Sequence, residues 1–222
     1  MTRPFAAIYE TACTRHGAAA IEARLAQPKS ADELAAMPDD RYLSQMSLRI
    51  FRTGLKHSIV DAKWPAFEEV FHGFDPRRIR AMPDEELERL LGDARLIRHW
   101  GKLKSVRDNA AAMIAVGEEH GGFGRWLAGW PGENIVALWE ELAKRFSQMG
   151  GNSGPTFLRM VGKDTFILSL SVVGGLKHWV GMAAPKNRKE REVAQRVFNG
   201  WAADSGRPLC QLSLILAMSV DG

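Results

Sequence analysis

The sequence has little cysteine, no long hydrophobic run and no apolar leader. Its 222 residues contain only Cys13 and Cys210, which excludes a disulfide framework and favours a reducing compartment. No apolar stretch approaches the roughly 20 residues that span a bilayer. The N-terminal segment carries Glu10, Arg15 and His16 instead of a signal core, so secretion is not expected. We therefore expect a cytoplasmic protein with no membrane partner.

Several catalytic motifs are also missing. There is no glycine-rich loop ending in Gly-Lys-Ser/Thr, which excludes nucleotide hydrolases of that class. There is no Gly-x-Ser-x-Gly elbow to carry a serine nucleophile. Cys13 and His16 have a spacing that metal ligands use, but no second pair accompanies them. We expect these two residues to pack, and we expect neither a metal nor another cofactor.

The composition, with 45% hydrophobic and 25% charged residues, is that of an ordinary globular protein. We expect one domain over residues 1–222 that works as a monomer. The formal net charge of +4 gives a mild bias towards anionic partners. Positive charge is concentrated in residues 95–107, which contain no acidic residue. This segment is either a solvated helix face or part of a surface for an anionic partner.

Almost every segment has helical periodicity, and no sustained alternation indicates a sheet, so the sequence predicts an all-α fold. Ser30 with Glu33 forms a capping box for a short helix. The apolar spacing predicts one helix over residues 39–62 and another opening at Trp64-Pro65. The remaining predicted helices begin at 75–76 and cover 84–91, 108–119, 123–130, 134–146, 157–161, 165–176, 187–203 and 209–220.

The periodicity breaks at residues 149–156, between two predicted helices. Gly151 and Gly154 suit a turn that needs positive φ or a close backbone approach. The free amides at the start of the following helix can bind a DNA phosphate. We therefore name Gly151, Ser153, Gly154 and Thr156 as candidate DNA contacts. The alternative is an inter-helix turn that binds nothing.

An acidic residue, Asp164, stands before the predicted helix at 165–176. An aspartate at a helix start is usually an N-cap. A fixed carboxylate can also stabilise a developing cation, such as the oxocarbenium-like sugar formed when a base leaves DNA.

An ordered series of segments resembles a known family. The series is Phe51-Arg-Thr-Gly-Leu-Lys-His57, Lys63-Trp-Pro-Ala-Phe67, Phe71-His-Gly-Phe-Asp-Pro76, residues 90–98, Lys102, Asn109-Ala110 and Ser153-Gly-Pro-Thr156. Over about residues 45–160 it resembles the 3-methyladenine DNA glycosylase I (Tag) family of the helix-hairpin-helix DNA glycosylase superfamily. The resemblance implies a multi-helix glycosylase fold with a helix-hairpin-helix element at about 149–156. It also implies hydrolysis of the N-glycosidic bond of alkylated purines, such as 3-methyladenine, in double-stranded DNA during base excision repair.

The resemblance also assigns site residues. Arg49 stands where the family has a base-recognising Glu, and His57 stands where it has a pocket Trp. The ligands of the family's structural zinc have no counterparts here. The candidate base pocket comprises His57, Trp64, Arg49, Phe51 and Tyr42, with Trp100 as a further aromatic, and the candidate phosphate contacts include Arg98, Lys102, Lys104 and Lys163.

Asp164 resembles the catalytic Asp of other members of the superfamily. Thr156 occupies the position of the Lys in members that also cleave the strand. The resemblance therefore implies a monofunctional enzyme, unless Lys163 substitutes for that Lys. A non-catalytic helix-hairpin-helix DNA-binding protein and a helical protein–protein module are the alternative hypotheses.

Overall fold

The computed structural model describes residues 4–221, and within them the chain forms only helices and irregular connections. The predicted all-α class is therefore confirmed. The α-helices are α1 Phe5–His16, α2 Ala18–Glu22, α3 Ala31–Ala36, α4 Asp39–Arg52, α5 His57–Val70, α6 Pro76–Arg80, α7 Asp84–Arg89, α8 Trp100–His120, α9 Phe123–Ala128, α10 Ile135–Arg145, α11 Ser153–Val161, α12 Leu170–Val180, α13 Arg188–Ser205 and α14 Leu209–Met218. Short 3-10 turns lie at His72–Phe74, Leu90–Gly92 and Gly132–Asn134.

The chain divides into two compact units. One contains Ser30–Gly129 and Glu141–Val161, and we call it the hairpin unit because it includes the turn between α10 and α11. The other contains Met1–Lys29, Trp130–Glu140 and Gly162–Gly222, and we call it the terminal unit.

Helix α4 forms the centre of the hairpin unit, where it packs against α8 and α11. Its side chains are buried on most sides, including Tyr42 and Phe51. Phe51 also makes an edge contact with Phe67, with ring centroids 4.6 Å apart. Burying each such ring stabilises the fold by about 1.5–3 kcal/mol. The buried rings therefore hold α4 firmly in place between its neighbours.

The prediction of one helix over residues 39–62 and another opening at Trp64-Pro65 is wrong, because the break between the two helices lies at residues 53–56. Helix α4 ends at Arg52, Gly54 turns the chain with φ +77°, and α5 runs from His57 through Pro65 to Val70. The apolar spacing continued through Leu55 and Ile59, but these side chains are 40% and 50% exposed. Exposed apolar residues thus had the spacing of a buried helix face, and the sequence pattern did not reveal the turn at Gly54.

Two other predicted helix starts follow local chemistry and are confirmed. The Glu33 amide donates to Ser30 Oγ while the Ser30 amide donates to the Glu33 carboxylate, forming the predicted capping box of α3. Asp75 caps α6, as the Asp-Pro pair indicates. The predicted start at residue 108 is wrong, because α8 is one continuous helix from Trp100 to His120.

The terminal unit packs α14 against α1, α12 and α13. Phe166 stacks on Phe198 with ring centroids 4.3 Å apart. The helix predicted over residues 165–176 begins only at Leu170, where Ser169 accepts a hydrogen bond from the Val172 amide. The preceding residues 163–169 are irregular, so Asp164 does not start a helix.

Candidate nucleic-acid interface

Helix α8 is joined to the C-terminal end of α4 by a buried lysine. The Lys102 ammonium donates to the carbonyl oxygens of Phe51 and Thr53 at 3.3 and 2.7 Å. Phe51 lies in the last turn of α4 and Thr53 directly follows the helix, at the end where a helix leaves carbonyl acceptors free. Lys102 is only 8% exposed, and burial lowers its pKa. Lys102 therefore joins two helices instead of facing a phosphate, contrary to the sequence prediction.

The turn between α10 and α11 is joined to the same helix. Asn109 of α8 donates from Nδ2 to the Ser147 carbonyl oxygen and accepts the Ser147 amide on Oδ1. Gln148, which has a positive φ of 61°, donates to the carbonyl oxygen of Gly101 at 2.8 Å. One helix thus positions the hairpin and the α4–α5 turn together.

The hairpin has an exposed tip and a buried base. Gly150 and Gly151 are exposed, and Gly151 has a φ of +58°. Gly154 is buried, and its amide donates to the Met149 carbonyl oxygen at 3.1 Å. A Cβ added at Gly154 would lie 3.1 Å from that oxygen, so glycine permits the close approach. Of the predicted contacts, Ser153 and Gly154 are buried, whereas Gly151 is exposed and Thr156 is half-buried.

The predicted pocket aromatics divide into core and accessible side chains. Tyr42 is fully buried, and its hydroxyl donates to the Leu34 carbonyl oxygen at 2.7 Å. Phe51 is also fully buried. Trp64 is half-buried, stacks on Phe74 and donates from Nε1 to Ser44 Oγ. The structure thus places Tyr42 and Phe51 in the core because their rings fill space around α4.

The remaining predicted pocket residues, His57 and Arg49, both have accessible surface. His57 is exposed at the start of α5. Arg49 is half-buried in the last turn of α4, and its Nε is shielded from solvent without a hydrogen-bond partner. Burial lowers the pKa of its guanidinium, and the charge of Arg52 lowers it further.

Positive and apolar side chains surround the first turn of α8. Arg98 and Lys104 are exposed, and Lys104 lies 3.9 Å from the Asp108 carboxylate. Trp100 is 38% exposed. An exposed aromatic among cations is a combination that nucleic-acid surfaces use.

Asp164 and Lys163 belong to the terminal unit. The Asp164 carboxylate accepts the amides of Leu209 and Cys210 at 2.9 and 2.8 Å, so it caps α14 across a long stretch of sequence. Lys163 is buried, and its ammonium donates to the Trp130 carbonyl oxygen at 2.5 Å. Lys163 therefore does not face solvent as a phosphate contact would.

Within residues 4–221, no group of three or more His, Cys, Asp or Glu side chains is arranged to hold a metal ion. In the same part of the chain, no helix is both long and apolar enough to cross a membrane. The roles of Gln148 and Lys102 in fixing the hairpin and the α4–α5 turn had no clear sequence signal, since both depend on contacts between distant residues.

The fold is shared with solved DNA glycosylases. A crystal structure of 3-methyladenine DNA glycosylase I matches with a TM-score of 0.50 and 27% identity, covering 62% of this chain and 82% of that one. The Methanocaldococcus jannaschii 8-oxoguanine glycosylase/lyase, solved with DNA containing 8-oxoguanine, matches with a TM-score of 0.52 and 14% identity. This match covers 95% of this chain and 93% of that one, and the similarity concerns the fold alone. The chain thus has the all-α fold of these DNA glycosylases.

Sequence comparison gives the family. Residues 34–150 match the model of the methyladenine glycosylases, and the chain belongs to this family. It is 39% identical over 70 residues to DNA-3-methyladenine glycosylase 1 of Escherichia coli (strain K12), covering 32% of this chain and 37% of that protein. It is 34% identical over 65 residues to DNA-3-methyladenine glycosylase of Haemophilus influenzae, covering 29% and 35%. The aligned segments thus span little more than a third of these relatives.

Proposed function

We propose that this protein is a monofunctional DNA glycosylase that hydrolyses the N-glycosidic bond of alkylated purines, such as 3-methyladenine, in base excision repair. The observation that carries the proposal is the attachment of two elements to α8. Asn109 fixes the hairpin, and Lys102 fixes the α4–α5 turn. A phosphate-binding hairpin and a base-binding pocket must keep a constant separation, and a single rigid helix provides it. Membership of the methyladenine glycosylase family supports the same function.

A glycosylase must first move the damaged base out of the duplex, which costs a few kcal/mol. Trp64 and His57 are the accessible rings on which the base would stack. Exposed hairpin amides near Gly151 and the side chains of Arg98 and Lys104 would hold the flanking phosphates. These contacts would position double-stranded DNA while the base is extruded.

Hydrolysis then breaks the bond between the sugar C1′ and the base nitrogen through an oxocarbenium-like sugar. We propose that the Asp164 carboxylate stabilises this cation or orients the attacking water. The Leu209 and Cys210 amides hold the carboxylate in a fixed position by donating hydrogen bonds to it. Thr156 has no amine, and the Lys163 ammonium is buried, which supports hydrolysis without strand cleavage.

A non-catalytic DNA-binding protein is the second candidate. It is favoured by Arg49 at the position of the family's base-recognising Glu and by the use of both Asp164 oxygens in capping α14. Such a protein would keep the hairpin and bind DNA without releasing a base.

Base release from methylated duplex DNA at low salt separates these candidates. We expect the wild-type protein to release a methylated purine and Asp164→Asn to release none while retaining DNA affinity. Asp204→Asn is the matched control, because Asp204 also accepts a backbone amide in the terminal unit, that of Phe5. If Asp164→Asn also releases the methylated purine, Asp164 is not the catalytic carboxylate. Tight, salt-sensitive binding without release by any protein would favour the non-catalytic candidate.

We further propose that the protein acts as a monomer in the cytoplasm. Within residues 4–221, Cys13 and Cys210 form no disulfide, which supports a reducing compartment. The molar mass measured by light scattering, for the protein alone and with one equivalent of duplex DNA, tests whether the protein is a monomer. A mass of two chains in either sample would contradict it.

A further inference from the structure

Helix α12 of the terminal unit buries one face and leaves the opposite face exposed to solvent. Its buried side, with Leu176 and Trp179, packs against α14. The exposed side chains and glycine are Leu170, Gly174, Lys177 and His178. Residues 170, 174 and 177 are separated by four and three positions, so they lie on the same side of the helix. They form a continuous strip about 10 Å long.

Two adjacent glycines of α12 have different structural reasons. A Cβ added at Gly175 would lie 2.7 Å from Leu216 Cγ, so the packing of α12 on α14 requires that glycine. A Cβ added at Gly174 would meet nothing closer than Val220 Cγ2 at 4.0 Å. Glycine inside a helix is less stable than alanine. Gly174 therefore disfavours the helix without serving its packing, whereas it lets an external surface approach the backbone closely.

Leu170 is the most exposed large apolar side chain of residues 4–221, with 93% of its surface accessible. It begins α12, directly after the N-cap residue Ser169. Burying a leucine is favourable, and the fold does not use this one in its core. A protruding apolar side chain of this kind can enter a groove of duplex DNA and contact the base steps there.

The chain around this face carries positive charge only. Residues 165–189 contain no Asp or Glu. The Lys and Arg side chains among them are all exposed, and they are Lys177, Lys186, Arg188 and Lys189. Arg188 pairs with Glu192 at 2.8 Å. In the described part of the chain, no carboxylate lies within 4.0 Å of the three lysines.

The position of one of these lysines is unfavourable for the helix that carries it. Lys189 lies in the first turn of α13, which runs from Arg188 to Ser205. The helix dipole disfavours cations at this end and favours anions. The three lysines thus add a positive charge that the fold neither neutralises nor needs, and an anionic partner can use it.

We propose that the exposed face of α12 and the connection at residues 181–189 form a second DNA-binding surface, carried by the terminal unit. The lysines contact backbone phosphates, Gly174 allows the close approach, and Leu170 enters a groove. Duplex DNA fits this surface because it combines a dense negative charge with a groove for an apolar side chain. The inference rests on the proposed glycosylase function, and it extends DNA binding beyond residues 34–150, which match the family model.

The contribution of the lysines is tested by fluorescence anisotropy with a DNA duplex over a range of salt concentrations. The test protein carries Lys177→Gln, Lys186→Gln and Lys189→Gln together. We expect the slope of log affinity against log salt to fall by about 0.9 for each lysine that contacts a phosphate. Arg24→Gln removes another exposed cation from the same unit and should leave the slope unchanged.

Gly174→Gln tests the close approach without removing a charge. The added side chain should weaken DNA binding by about tenfold, the effect of losing one good contact, at an unchanged salt slope. Because glutamine is a better helix former than glycine, the melting temperature should not fall. Weaker binding by a protein of equal or higher stability cannot result from unfolding. Gly200→Gln is the matched control, because Gly200 is exposed within α13 and a Cβ there meets nothing within 4 Å.

Leu170→Gln should also weaken binding by about tenfold at an unchanged slope, because it removes an apolar contact. A wild-type slope in the triple-lysine protein, or wild-type affinity in Gly174→Gln, would overturn the second surface and leave the glycosylase function intact. The same result is expected if this face binds an acidic protein instead of DNA. Absence of salt-sensitive DNA binding by the wild-type protein would instead contradict the glycosylase function itself.

Discussion

Asn109 in α8 and Ser147 in the hairpin exchange two hydrogen bonds, at 2.7 Å from the Ser147 amide and 3.2 Å to the Ser147 carbonyl oxygen. The Asn109 side chain is fully buried and Ser147 is half-buried, so these bonds are partly shielded from water. Because Lys102 ties the first turn of α8 to α4, the distance from hairpin to pocket depends on one helix. The DNA-binding element and the base-binding element should therefore respond together when α8 is perturbed.

Replacing Asn109 by Ala tests this coupling. The change leaves the amide and carbonyl oxygen of Ser147 without their partner, and unsatisfied buried groups cost about 1–3 kcal/mol each at most. We expect a lower free energy of unfolding in urea and weaker binding to duplex DNA. Gln148→Ala, which removes a single exposed hydrogen bond, should have a smaller effect on both. Wild-type DNA affinity in Asn109→Ala would show that the hairpin keeps its position without α8.

We expect an added methyl group to destabilise the protein at the buried base of the hairpin but not at its exposed tip. In Gly154→Ala the new Cβ would lie 3.1 Å from the Met149 carbonyl oxygen, which is backbone and cannot swing away. We expect a loss of about 1–3 kcal/mol in the free energy of unfolding, as for other overpacked sites. Gly150→Ala meets nothing within 4 Å and serves as the matched control. Equal stabilities of the two variants would contradict the close approach at Gly154.

Local features of the fold could be predicted from the sequence because their causes lie within a few residues. The capping box of α3 needs only Ser30 and Glu33, and the start of α6 needs only Asp75 and Pro76. The break in periodicity at residues 149–156 indicated the position of the hairpin, but the connection between α10 and α11 covers residues 146–152, and residues 153–156 already belong to α11. The turn at Gly54 was missed because neighbouring exposed apolar residues continued the helical pattern.

Features that depend on distant partners could not be predicted in this way. Asp164 was expected to cap the segment that follows it, yet it caps α14 through the amides of Leu209 and Cys210. Lys102 stands in a run of cations, yet its ammonium is buried against the end of α4. Residue type and spacing cannot show which carbonyl or amide the fold brings within reach. For Asp164 and Lys102, the sequence was equally compatible with a surface role and a structural role, and only the folded structure distinguishes the two.

Tyr42→Phe distinguishes a core role from a pocket role. The substitution removes only the hydroxyl, whose buried hydrogen bond to the Leu34 carbonyl oxygen is 2.7 Å long. We expect the free energy of unfolding to fall by about 1 kcal/mol, the usual net value of such a bond. The rate of base release should stay at the wild-type value, measured well below the melting temperature. A much lower rate of base release, with an unchanged free energy of unfolding, would show that Tyr42 belongs to the base pocket.

The exposed cations before and within the first turns of α8 predict a change in the salt dependence of DNA binding. If Arg98 and Lys104 each neutralise a phosphate, their replacement by Gln lowers the slope of log affinity against log salt by about 0.9 per contact. The affinity should fall similarly for damaged and undamaged duplexes, because phosphates carry no information about the base. Fluorescence anisotropy over a range of salt concentrations measures the slope. Arg89→Gln removes an exposed cation from α7 and should leave the slope unchanged. A slope equal to that of the wild type in the Arg98→Gln, Lys104→Gln protein would exclude both side chains from the DNA interface.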